Sequence, residues 1–132
     1  MSFVKPLGTE NAHPGYTSQH EGDRHVVELL RAIQAGAPNF WPSTAVVLTY
    51  DEFGGAADHV PPPRHGPTAD QWGPGTRVPA MILSPLLPEV QDVDSTPYDT
   101  TSILATIEKR FGLAPLASRD QAVADFSAVF RR

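Results

Sequence analysis

The sequence predicts an α/β fold, a layered, mostly parallel sheet with flanking helices, within a single domain over residues 1–132. Two observations carry this reading. Residues 44–49 and 78–84 are apolar runs rich in β-branched side chains, with the length and composition of buried strands. Three other segments place apolar residues at helical spacing, so that strands alternate with helices, as they do where parallel strands are covered by helices.

Taken in order, residues 2–4 are β-prone and run into Lys5-Pro6, as a short strand entering a loop would. Residues 8–22 are polar, with Gly, Pro and Asn among them, and read as an irregular loop. Asp23 is the expected N-cap of a first helix whose apolar stripe is Val26, Val27, Leu29, Leu30 and Ile33, stopped near Gly36 and Pro38. Residues 44–49 follow as a central strand buried on both faces. No regular element fits residues 53–77, which carry Gly54-Gly55 and Pro61-Pro62-Pro63. The second strand has Pro79 near its start, and residues 85–97 form another proline-rich loop. Thr100 or Thr101 caps a helix carrying Ile103, Leu104, Ile107 and Phe111, with Gly112 as its C-terminal cap. Asp120 starts a last helix with Val123, Phe126, Val129 and Phe130. No internal repeat or domain boundary is visible.

Composition limits the function classes. A hydrophobic share of 40% is enough for a real core, which argues against disorder throughout. The formal charge is −5 and no basic run is present, so there is no electrostatic footprint for nucleic acid or an anionic membrane. A phosphate-bearing ligand must then be attracted locally, most simply by a bound cation. The absence of cysteine excludes disulfides, thiolate metal sites and cysteine nucleophiles together. The first residues do not read as a signal peptide, and no run approaches the roughly 20 apolar residues of a transmembrane helix.

Chemistry concentrates after the first strand. Ligands in open α/β sheets bind at the carboxyl ends of strands, and Asp51 and Glu52 stand where residues 44–49 give out. Adjacent carboxylates offer hard oxygens to a divalent cation, and Gly54 and Gly55 permit a tight turn and close approach of backbone to ligand. The other reading is a pair that caps the next turn and faces water, and spacing alone does not separate the two. His59, beside Asp58, is placed to donate to a phosphoryl oxygen or to ligate a metal, against the plainer reading of a solvated loop histidine. His13 lies in Asn11-Ala12-His13-Pro14-Gly15-Tyr16, where Pro14 and Gly15 would hold the imidazole on a rigid turn suited to oxyanion stabilisation or proton transfer. His20 and His25 are weaker candidates, and Arg64 and His65 read as solvent-facing. Trp72 is either a lid or a packing anchor for its own loop, with the anchor favoured. Arg77 is set to pair with a phosphate oxygen or, in a structural ion pair, with Asp70 or Glu52. Asp99 or Thr100 reads as a helix cap.

Residues 2–6, 11–16, 49–60, 71–79 and 98–112 together resemble, in order, the C-terminal part of the bacterial phosphoesterase family. That family includes phospholipases C and acid phosphatase A and belongs to the alkaline-phosphatase-like superfamily. The resemblance implies a partial alkaline-phosphatase-like fold and hydrolysis of a phosphate ester or phospholipid at a divalent metal ion, through a phosphorylated serine or threonine. It makes Asp51 and Glu52 metal ligands and His13 the histidine that contacts the phosphoryl group. It also makes Asp58 and His59 a pair behind the metal, with Asp58 supporting. The metal stays open among calcium, magnesium, manganese and iron. Family members commonly run to several hundred residues, and their upstream Glu-Asn metal motif and nucleophile have no counterpart here, since Glu10-Asn11 belongs to the His13 loop. Ser95 also stands where relatives often carry histidine. The expectation is therefore a C-terminal portion holding half of a site, inactive by itself, needing an N-terminal half or a partner chain that would also carry any export signal. The alternative is a non-catalytic module that binds a metal or a phosphorylated ligand.

Overall fold

The computed structural model describes residues 1–65, 69–88 and 93–131. They fall into two compact units, Met1–Thr44 and Ala45–Arg132. Parts of both expected loops, residues 66–68 and 89–92, lie outside the described residues.

The first unit is built on helix α1, Gln19–Gly36. Its N-cap is five residues before the Asp23 expected from sequence, because Ser18 caps it by accepting the Glu21 N–H at 3.2 Å. Arg24 links Glu21 and Glu28 along the exposed face. Val26, Leu29, Leu30 and Ile33 are half-buried, as the stripe predicts, and Val27 is exposed. Gly22 is buried because the loop before the helix presses on it. A Cβ there would lie 2.6 Å from the Ala12 Cβ and 3.0 Å from the Ala12 nitrogen. A 3-10 turn, Trp41–Ser43, follows, with the Thr44 hydroxyl donating to the Phe40 carbonyl.

The second unit contains the sheet, and here the structure corrects the expected topology. Strands β1, Val46–Thr49, and β2, Ala80–Leu83, form a two-stranded antiparallel pair, with Val46 opposite Leu83 and Thr49 opposite Ala80. A parallel pair needs a crossover, usually helical, and no described residue between these strands is helical, so the chain simply returns beside β1. Nor is β1 a strand buried on both faces: all four of its residues are half-buried.

Helix α2, Thr101–Phe111, has both expected ends. Asp99 accepts the Thr101 N–H at 2.7 Å while the Ser102 hydroxyl accepts the Asp99 N–H at 3.1 Å, a reciprocal cap. Gly112 closes the other end in the left-handed region, at φ 65°. The expected last helix is divided. Helix α3, Ser118–Ala122, stops where Val123 becomes extended, and residues Phe126–Arg131 form a 3-10 turn. Asp120 sits inside α3, where its carboxylate accepts the Leu116 and Ala117 N–H groups. The buried centre of the unit lies here, with Ser102, Ala105, Glu108, Asp120 and Phe126. Thr106 ties it together: its hydroxyl donates to the Ser102 carbonyl and accepts the Phe126 N–H.

Candidate active site

The site begins where β1 ends. Thr49 donates its hydroxyl to the Pro79 carbonyl at 3.0 Å, fixing the strand end against the residue that precedes β2. The chain then leaves the sheet through Tyr50, Asp51 and Glu52 and reverses over Gly54 and Gly55. Both glycines take positive φ, 60° and 77°, a conformation that side chains resist. The Gly54 N–H donates to Glu52 Oε2 at 2.7 Å, which anchors one carboxylate oxygen and orients the other. Asp51 and Glu52 are both exposed.

Asp58 follows with only 12% of its side chain exposed. The Arg77 guanidinium grips it as a fork, Nε to Oδ2 at 2.8 Å and Nη2 to Oδ1 at 2.7 Å. Oδ1 also accepts the Val60 N–H at 3.0 Å. The Arg77 hydrogen bonds, then that of Val60, hold the Asp58 carboxyl well below the usual carboxylate range. His59 is the corner of this turn, with 91% of its side chain exposed and Nδ1 3.8 Å from Asp58 Oδ1, beyond hydrogen-bonding distance. Asp58 therefore supports His59 through the backbone turn rather than through its ring.

His13 belongs to the first unit. Its N–H donates to Asn11 Oδ1 at 3.0 Å, and its Nδ1 lies 2.8 Å from the Pro14 carbonyl. A carbonyl only accepts, so Nδ1 carries the proton and Nε2 is the nitrogen left for a ligand. The ring also stacks, tilted, against Tyr16 at 4.6 Å between centroids. Next to it, Ala12 is the one non-glycine residue with positive φ among the described residues, at 59°. Such strain persists only where surrounding contacts impose it.

The remaining candidates separate. His25 lies 3.7 Å from Glu10, and His20, Arg64 and His65 are exposed. Trp72 is 83% exposed and so is not the packing anchor its loop suggested. It stands on a turn closed by two backbone hydrogen bonds between Asp70 and Gly73. Arg77 is in an ion pair, as expected, but with Asp58 instead of Asp70 or Glu52. Asp70 instead meets Arg119, which also reaches Asp99 at the α2 cap. These partners escaped sequence reasoning because they are 19 or more residues apart and leave no local signal. Ser18-x-x-Glu21, by contrast, is a capping-box pattern that marked the true start of α1.

As a metal site the arrangement is partial. Among the described residues no group of three or more His, Asp or Glu side chains converges. Two adjacent carboxylates still suit a hard cation such as Mg²⁺, which commonly takes one or two protein carboxylates and fills its other positions with water and phosphate oxygens. A cleft of about 230 Å³ lined by Glu108, Lys109, Asp120 and Asp125 lies at the helical end instead, so the candidate site is identified by its side chains and not by concavity.

Comparison with known proteins identifies the family. The Phosphoesterase family matches residues 1–114. The chain is 33% identical over 96% of its length to non-specific phospholipase C6 of Arabidopsis thaliana, covering 28% of that protein. It is 31% identical over 98% of its length to phospholipase C B of Mycobacterium tuberculosis, covering 29% of that protein. It is 32% identical over 86% of its length to non-hemolytic phospholipase C of Pseudomonas aeruginosa, covering 20% of that protein. The chain thus spans less than a third of the length of these relatives. By the family match over residues 1–114, the chain belongs to the Phosphoesterase family.

Proposed function

We propose that this chain supplies the C-terminal part of a divalent-metal-dependent phosphoric ester hydrolase, acting on a phospholipid or a related phosphate ester. The observation that carries the reading is the Asp51-Glu52 pair at the end of β1, inside a family match that includes phospholipases C. Asp51 and Glu52 offer oxygens to the cation, Glu52 through Oε1 because Oε2 is committed to Gly54. When bound, the cation polarises a phosphoryl oxygen and lowers the pKa of a hydroxyl nucleophile. His13, in the first unit, keeps Nε2 for a phosphoryl oxygen, with its ring oriented by Pro14 and Tyr16. His59, in the second unit, presents an exposed imidazole suited to a phosphoryl oxygen, and Asp58 supports the turn that carries it. The serine or threonine nucleophile comes from residues outside this chain, so the chain alone binds without turning over.

The test combines activity and binding. With p-nitrophenyl phosphate or phosphatidylcholine and Mg²⁺, Mn²⁺ or Ca²⁺, the chain alone is expected to release no product. Calorimetry is expected to show divalent-cation binding that Asp51→Ala removes. Turnover by the chain alone, abolished in Asp51→Ala, would overturn the assignment of the nucleophile elsewhere. No cation binding in the native chain would overturn the metal reading.

A further inference from the structure

The Arg77–Asp58 pair does more than join two charges. Both carboxylate oxygens of Asp58 are taken by the guanidinium fork, and Oδ1 in addition holds the Val60 N–H, so the turn at His59 is locked from two directions. Arg77 itself lies three residues before β2. Two residues beyond it, the Pro79 carbonyl accepts the Thr49 hydroxyl, and two residues beyond Thr49 is Asp51. Backbone and hydrogen bonds together therefore connect the carboxylate turn to His59, by way of the Thr49–Pro79 bond, Arg77 and Asp58.

We propose that Arg77 is a positioning residue: its bidentate hold on Asp58 fixes the turn that presents His59, setting that imidazole relative to the Asp51-Glu52 edge. This rests on the reading of His59 as a phosphoryl-contacting group. Arg77 touches no reacting atom in this role. Its planar, two-point match to a carboxylate is what a lysine ammonium lacks, so charge alone does not substitute for it.

The experiment uses the native chain with Arg77→Lys and Arg77→Gln, followed by NMR. The ligand-free arm reads the His59 backbone order parameter and its residual dipolar coupling against those of β1 and β2, which report whether the sheet has stayed folded. In the native chain His59 is expected to share the alignment of the sheet, with an order parameter of about 0.85. In both variants it is expected to fall below about 0.6 while the strand values hold. The Val60 amide adds a pH profile: its acid titration, which follows the Asp58 carboxyl, should move up toward the ordinary carboxylate range in both variants. An unchanged His59 in Arg77→Lys overturns the fork, and an unchanged His59 in Arg77→Gln overturns the positioning role altogether. A separate arm adds inorganic phosphate with Mg²⁺. A shift of the His59 ring signals in the native chain, reduced tenfold or more in affinity in Arg77→Lys, is expected. If the native ring does not respond while the ligand-free loss stands, the reading of His59 falls and the hold of Arg77 survives.

Discussion

At Ala12 the backbone takes φ 59°, and what holds it there is a missing side chain opposite. Gly22 lets the His13 loop lie against α1, since any Cβ would meet the Ala12 Cβ at 2.6 Å. Helix propensity alone would favour alanine at this buried position by about 1 kcal/mol. Overpacking against backbone costs about 1–3 kcal/mol, so the clash wins. Gly22→Ala is expected to destabilise the chain in denaturant unfolding and to shift the amide signals of Ala12 and His13. Gly36→Ala, at a position with nothing within 4 Å, is expected to be neutral or mildly stabilising. Stabilisation by Gly22→Ala would remove the argument that this glycine seats the loop. The sequence showed His13 on a turn because Pro14 and Gly15 are local signals. It did not show that a helical glycine nine residues later sets the position of that turn, because the contact is tertiary.

Among the elements, the helices were the legible part. Asp99, the apolar spacing through Ile107 and the glycine at Gly112 are all signals local to one helix and its caps, and α2 formed where they stand. Strand pairing was not legible, because an apolar run such as Val46-Val47-Leu48 specifies extended backbone and not the direction of its neighbour. The division of the last helix was hidden too, since Asp120 reads as a helix start, whereas its carboxylate is used one turn inside α3 by the Leu116 and Ala117 N–H groups. That arrangement also sets a pH dependence. Glu108 and Asp120 are both buried and share the Leu116 N–H. Burial pushes Glu108 up, only partly opposed by the Leu116 N–H, and the neighbouring Asp120 charge adds to the rise. Burial pushes Asp120 up as well, but the backbone N–H groups and the hydrogen bond with Glu108 bring it below the usual range. A carboxyl raised on folding contributes stability that is full below its unfolded pKa and lost as pH rises through its folded value. Glu108→Gln keeps a permanent donor toward Asp120, so its stability is expected to fall less than that of the native chain as pH rises above the ordinary carboxylate range. The acid side has the opposite sign. Burial raises Asp125, but Lys109 and Ser127 hold it down to about 2, so its contribution is present above the ordinary carboxylate range and lost as pH falls through that value. Asp125→Asn should flatten that acid limb. Thermal midpoints across pH check both limbs, and parallel curves for Glu108→Gln and the native chain would discard the assignment of the first limb to the buried Glu108 carboxyl.

Across the whole molecule, large apolar side chains stand in water in both units: Phe3, Leu7, Trp72 and Leu116 are each at least 71% exposed, and Met81 on β2 is 56% exposed. Among the described residues, Ala105 and Phe126 are the only buried hydrophobics. The denaturant slope of unfolding follows the surface exposed, so less burial means a shallower slope and weaker cooperativity. The purified chain is therefore expected to unfold in urea with a slope at or below the low end of the usual range of about 1–3 kcal/mol per molar. It should also bind an apolar dye under native conditions and associate as its concentration rises, because exposed apolar surface is removed from water by any neighbour that covers it. Urea titration, dye fluorescence and light scattering measure the three effects. A steep single transition in a dye-silent monomer would mean that these side chains find cover within the chain, and the account of its exposed apolar surface would have to be given up.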